Sequence, residues 1–146
     1  MEIINRKARY DYTINDIYEC GIVLKGTEIK SIRNGQCNLK DSYAIIKNNE
    51  VFLLNMFISK YKEASLFNED ETRTRKLLLH KNEIKKISDE VKLNGVTLVP
   101  LRIYFKGNKV KIELGVCKGK KNYDKRESIK ERDLNREMKK NIKNRF

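Results

Sequence analysis

The chain has 146 residues, enough for one domain, and carries 33 Lys/Arg against 20 Asp/Glu, a net charge of +13 at pH 7 with pI near 9.7. A surplus of that size points to RNA, DNA or an anionic membrane surface as the partner. No apolar run reaches the roughly 18 residues that would cross a bilayer, and the N-terminus has no apolar signal-like stretch, so a cytoplasmic chain that does not span a membrane is expected.

Residues 5–12, NRKARYDY, interleave Arg6, Lys7 and Arg9 with Tyr10 and Tyr12. Cations meet phosphates and aromatic faces stack on bases, so the mixture suits RNA. The same tyrosines also suit an N-terminal strand packed on the core, and alternate residues of a strand can serve both ends. Residues 17–25, IYECGIVLK, read as a strand. Gly21 in its middle marks a bulge, a bend or the close approach of another backbone. In residues 27–33, TEIKSIR, Ile29 and Ile32 share one side of a short helix, with Thr27 as its expected N-cap and Gly35 as its stop.

Residues 43–47 and 51–58 flank Asn48-Asn49-Glu50 and read as a hairpin. Residues 61–76 read as a mobile surface loop with an acidic tip (Glu69, Asp70, Glu71) and a basic exit (Arg73, Arg75, Lys76). The acidic trio could ligate a divalent ion, but carboxylates crowded in such a loop are usually just solvated. Leu77 to Leu79 is a buried strand or a helix approach. His80, the sole histidine, has no evident catalytic partner in sequence and reads as structural or RNA-facing. In residues 82–94, Ile84, Ile87 and Val91 recur at helical spacing, with Gly95 as the C-terminal stop. Residues 96–105, VTLVPLRIYF, read as a strand whose Pro100 argues for an edge or a bulge. A turn at 106–109 leads to residues 110–117, where Val110, Ile112 and Leu114 alternate with Lys111 and Glu113.

Five to seven short strands, one short helix and one three-turn helix fit a small β-barrel, whose closure removes exposed edges. Residues 1–117 form the expected barrel domain and 118–146 a basic tail. The tail holds 12 Lys/Arg against 5 Asp/Glu and, after Gly119, neither glycine nor proline. Its apolar residues Leu134, Met138, Ile142 and Phe146 fall at every fourth position and make one narrow row on a helix, whereas a core-facing helix shows a stripe about 100° wide. Such a segment is expected to be disordered when free and to become helical against a polyanion.

The chain has no phosphate loop, nucleotide-binding glycine fingerprint or nucleophile elbow. Cys20, Cys37 and Cys117 are isolated in sequence and read as reduced, mostly buried thiols, so no metal and no cofactor is expected. A binding protein is favoured over an enzyme. The alternatives are a general RNA chaperone and, less favoured, an RNA-processing enzyme built on Glu69, Asp70 and His80.

Several blocks in order, NRKARYDY, GTEIKSIRNGQCNLKDSYA, VFLLNMFIS, TRTRKLLLHK, LVPLRIYF and KGKKNYDKRESIKER, closely resemble the SsrA-binding protein (small protein B) family. The resemblance implies a mainly β fold, a small closed OB-type β-barrel with flanking short helices. It also implies a role in trans-translation. The family binds transfer-messenger RNA (SsrA RNA), charged with alanine, and delivers it to stalled ribosomes, without being an enzyme itself. Elongation factor Tu would be met only indirectly, through alanyl-tmRNA.

On matching positions, Asn5, Arg6, Lys7, Arg9, Tyr10, Tyr12, Glu19, Gly21, Glu28, Lys30, Leu78 and His80 would form the surface for the tRNA-like domain of that RNA. Gly119, Lys120, Lys121, Tyr123, Asp124, Lys125, Arg126, Arg132 and Arg136 would meet the ribosome, 16S rRNA, near the decoding centre and the empty mRNA channel. Tyr10 and Phe57 stand where histidine is common in the family, and Tyr123 where some members have histidine; at Tyr123 either ring can stack.

Overall fold

The structure is a computed structural model that describes residues 2–61 and 70–119. Among the described residues the element order is β1 (Glu2–Ile4), α1 (Arg6–Asp11), β2 (Tyr12–Ile22), α2 (Gly26–Arg33), β3 (Cys37–Asn38), β4 (Tyr43–Lys47), β5 (Glu50–Leu54), β6 (Phe57–Ile58), β7 (Arg75–Leu78), α3 (Lys81–Asn94), β8 (Thr97–Lys106) and β9 (Lys109–Gly119).

Alternation builds the sheet. In β9, Val110, Ile112 and Leu114 are buried while Lys109, Lys111 and Glu113 face outward, as their period of two requires. Full burial of each such side chain contributes about 1.5–3 kcal/mol. Six antiparallel strands close on themselves in the order β8, β4, β5, β7, β2, β9, and the β8–β9 pairing completes the ring. β1 adds to the far end of β8, and β3 pairs with β6 as a separate two-stranded ribbon.

The main core fills the ring with Val51, Leu53, Leu77, Leu98, Ile103 and Ile112. α3 lays Ile84, Ile87 and Val91 on that core, and Gly95 ends it in the left-handed conformation at φ +61°. Pro100 does mark a bulge. The β8–β9 register shifts between Pro100 and Arg102, so Val99 and Leu101 turn away from the main core. They form a second, smaller core with Ala8 of α1 and Cys117.

Several boundaries differ from the sequence expectations for local reasons. Residues 6–11 are a helix, because the Asn5 side chain caps it by accepting from the Ala8 N–H. α2 is capped at Lys25 rather than Thr27: the Glu28 carboxylate reaches back to accept from the Lys25 N–H at 2.9 Å. The β4–β5 turn has Asn48 and Asn49 both at positive φ, the conformation a two-residue hairpin demands. The strand expected over 51–58 breaks at Asn55, also at positive φ, so Phe57 and Ile58 pair elsewhere as β6. Of the expected loop at 61–76, residues 62–69 lie outside the described residues.

One buried ion pair ties these parts together. Arg75 is fully buried, and its Nε donates to Glu28 Oε2 at 2.6 Å. Its other nitrogens donate to the carbonyls of Met56 at 2.7 Å and Glu71 at 3.3 Å. Arg73 donates to the second Glu28 oxygen at 2.6 Å. Burial alone pushes the Glu28 carboxyl up, but the hydrogen bonds from Arg73, the Lys25 N–H and Arg75 outweigh it and hold the group below its ordinary value.

Glu28→Gln removes the charge that compensates Arg75 and is expected to cost roughly 3–5 kcal/mol in a denaturant melt. The parent's contribution from this carboxylate is whole above the ordinary carboxylate range and is lost as pH falls through the lowered folded value. The variant should therefore lack that acid-induced loss of stability, which a pH series of melts will read.

Candidate nucleic-acid interface

The residues expected to form one surface separate into two. Glu19, Gly21, Leu78 and His80 line the same open cleft, of about 740 Å³, with Glu83 from α3 and Asn108, Lys109 and Lys111 from the β8–β9 hairpin. Gly21 sits opposite Leu78 in the β2–β7 register. A Cβ on Gly21 would lie 3.2 Å from the Leu78 Cβ, so glycine is what lets the two strands approach here. Leu78 is half exposed, and His80 stands exposed at the start of α3, its N–H donating to Glu83 at 3.1 Å.

The second group lies at the other end of β2. Tyr12 pairs with Gly119, whereas Gly21 pairs with Lys111. Nine residues of strand separate the two ends, about 30 Å at 3.3 Å per residue. Arg6, Lys7 and Arg9 are exposed on α1, and Tyr10 and Tyr12 are half-buried. Lys7 and Tyr12 line a smaller cleft with Asp41 and Tyr43, and Lys7 reaches Asp41 at 3.5 Å. β9 leaves the described residues beside this second group, at Gly119.

Two of the expected RNA-facing residues are committed inside the protein. Asn5 is buried. It caps α1 and donates from Nδ2 to the carbonyls of Pro100 at 2.9 Å and Leu39 at 3.3 Å. Glu28 is the buried hub described above. Lys30 is exposed and stacks 5.3 Å from the centre of the Tyr61 ring. Lys120, Lys121, Tyr123, Asp124, Lys125, Arg126, Arg132 and Arg136 lie outside the described residues.

Sequence reading missed Lys109 and Lys111. They alternate outward on β9, and only the pairing of β9 with β2 brings them to the cleft. It also missed the partners of Glu19. Tyr104 Oη donates to Glu19 Oε2 at 2.6 Å and Lys106 Nζ to Oε1 at 3.2 Å. Those two hydrogen bonds, Tyr104 first, hold the Glu19 carboxyl below its ordinary value. Asp70 is occupied locally, accepting from the N–H and hydroxyl of Thr72. Burial raises the thiols of Cys20 to about 12 and of Cys37 and Cys117 to about 11, so at neutral pH all three are protonated and poorly nucleophilic. Among the described residues no three His, Cys, Asp or Glu side chains gather as metal ligands, and no helix is long and apolar enough to cross a membrane.

An open cleft rimmed by two lysines, two glutamates, a histidine and an exposed leucine, on a strand ring with a cationic patch at its far end, is a mixed polar surface of the type that suits a nucleic acid. Similarity to known proteins then places the chain. The model of the SmpB protein family matches residues 2–144, and the chain belongs to that family. It is 57% identical over 142 residues to an SsrA-binding protein of Acetivibrio thermocellus, covering 97% of this chain and 92% of that relative. It is 54% identical over 140 residues to the SsrA-binding protein of Enterococcus faecalis, covering 96% and 91%. A solved structure described as "tmRNA-SmpB: a journey to the center of the bacterial ribosome" superimposes with a TM-score of 0.70 at 45% identity, over 83% of this chain and 85% of its own.

Replacing Lys109 and Lys111 by Ala together should weaken binding to structured RNA and flatten the plot of log K against log salt by roughly 0.7–0.9 for each phosphate no longer neutralised. Titrations at four salt concentrations will read the slope. An unchanged slope would place these lysines away from the RNA.

Proposed function

We propose that this chain binds SsrA RNA, the transfer-messenger RNA, through its tRNA-like domain and delivers it to stalled ribosomes for trans-translation. The observation that carries this reading is the cleft that gathers Glu19, Gly21, Leu78 and His80 in a chain of the SmpB protein family. The SsrA-binding relatives and the tmRNA–SmpB structure on the bacterial ribosome support it. The six-strand ring reads as an OB-type barrel, a fold whose strand surface and loops commonly hold oligonucleotides. Residues 1–117 form that unit, with β9 running on to Gly119, and 118–146 act as a separate basic segment.

The side chains divide the work by chemistry. Arg6, Lys7, Arg9 and Lys30 supply phosphate contacts, which fix register without reading sequence. Tyr10, Tyr12 and His80 supply faces for unpaired bases. Glu19 accepts from donors on the RNA. Asn5 and Glu28, committed to internal partners, act by holding α1 and α2 in place rather than by touching RNA.

The tail is the ribosomal probe. Gly119, Lys120, Lys121, Tyr123, Asp124, Lys125 and Arg126 approach the decoding centre, and Arg132 and Arg136 continue along the mRNA channel as one side of a helix. About 25 residues at 1.5 Å each would reach roughly 38 Å. Messenger RNA in the channel excludes the tail, so competition for one space distinguishes a stalled ribosome from a translating one. The protein acts by binding alone, in the compartment where its RNA and ribosomes meet. Elongation factor Tu is met through the charged RNA.

A chain ending at Gly119 should keep its affinity for SsrA RNA over an unrelated structured RNA at equal salt, and should fail to support tagging of stalled nascent chains. Loss of RNA affinity in that chain would overturn the division of labour. Lys120→Ala with Lys121→Ala should impair tagging far more than RNA binding, and equal losses would remove the tail's separate role.

A further inference from the structure

Glu19 sets a negative charge on a cleft that also presents Lys109, Lys111, His80 and Glu83, the last already accepting from the His80 N–H. A freely rotating carboxylate there would turn away from phosphate. Instead both of its oxygens are held from β8, one by Tyr104 and one by Lys106. Tyr104 is held in turn. The Arg102 guanidinium lies 4.2 Å from the centre of its ring. Arg102 is pinned by Glu2 at 3.0 Å and Glu113 at 2.7 Å. A line of interactions thus runs across three neighbouring strands, β1, β8 and β9, and ends at a single carboxylate on β2.

Stability is a poor account of this arrangement. The Glu19 side chain is 41% exposed and that of Lys106 68%, and exposed pairs of this kind contribute little to folding. What the line of interactions does produce is an acceptor of fixed position. An ionised carboxylate has about four acceptor sites. Tyr104 and Lys106 occupy two of them, which leaves both oxygens able to accept once more.

We propose that Tyr104 is a positioning residue for RNA recognition: it fixes Glu19 as a hydrogen-bond acceptor for the N–H donors of an unpaired base in the cleft. The inference rests on the reading that this cleft holds RNA. A fixed, ionised carboxylate accepts from base N–H groups and repels phosphate, and so favours base edges over backbone in this cleft. The charged and titratable groups around Glu19 are Tyr104 and Lys106 on β8, Lys111 and Glu113 on β9, and His80 and Glu83 at the start of α3. Tyr104 and Lys106 favour its ionised form, and burial together with Glu19 pushes the Tyr104 phenol up to about 12, so it stays a donor throughout the neutral range.

The test is a double-mutant cycle on the full chain with Tyr104→Phe and Glu19→Gln, measuring Kd for the tRNA-like domain of SsrA RNA at fixed salt. Tyr104→Phe should weaken binding about three- to tenfold in the parent and leave the Glu19→Gln background unchanged. It should also move the acid limb of binding to higher pH, because the Glu19 carboxyl loses the donor that lowers it most. The Glu19→Gln protein should lack that shift.

Equal losses from Tyr104→Phe in both backgrounds would mean that Tyr104 acts independently of Glu19 and would overturn the proposal. So would no loss from Tyr104→Phe alongside a clear loss from Glu19→Gln; in that case the cleft would stand as the RNA site. Parental affinity in Glu19→Gln would place the RNA elsewhere and overturn both.

Discussion

The buried pair of Glu28 and Arg75 is the constraint on which the rest of the described structure depends. Two charges are costly to take from water, and their attraction offsets that cost only when the geometry is close and the remaining donors are satisfied. Here it is close at 2.6 Å, and the other Arg75 nitrogens find the carbonyls of Met56 and Glu71. The pair therefore ties α2 to β7, to the chain just before β6, and to the segment that follows residues 62–69. Because β7 closes the ring between β5 and β2, the same pair holds Leu78 against Gly21 and sets one wall of the cleft.

The bulge at Pro100 does the complementary work at the other end. By turning Val99 and Leu101 outward it creates a second small core, and α1 settles on that core through Ala8. Asn5 brackets the junction by bonding to Pro100 and Leu39. A short helix of six residues would be marginal alone, and packing and capping are what keep it. Its cations are presented where the chain enters β2 and where β9 ends. The two patches thus sit at opposite ends of one long strand pair. In the proposed function the RNA reaches both patches, and the tail leaves beside the second.

Charge has different meanings at different positions in this chain. Lys109 of β9 and the cations of α1 are exposed and Lys111 is half-buried, and a polyanion is their natural partner. Arg75 and Glu28 are equally charged by formula but are turned inward as structural parts. Glu19 lies between these cases, exposed yet anchored. A count of charges along the sequence could not separate the three, because the separation depends on which strands are neighbours.

Much of this was legible in the residues. The alternation in β9, the helical spacing of Ile84, Ile87 and Val91, the paired asparagines of the β4–β5 turn and the break at Pro100 are local signals, and each produced the element it implied. Residues 6–11 went the other way: their strand reading failed because Asn5 caps a helix whose support, Val99 and Leu101, lies more than 90 positions away. By itself the sequence determined the basic character, the β-rich pattern and the family, since composition, periodicity and motif order are properties of the chain. Tertiary structure alone decided that Glu28 is buried, that Glu19 is held by Tyr104 and Lys106, and that Lys109 and Lys111 join the cleft. Each of those facts depends on interactions between residues 45 to 90 positions apart, made only when the ring closes.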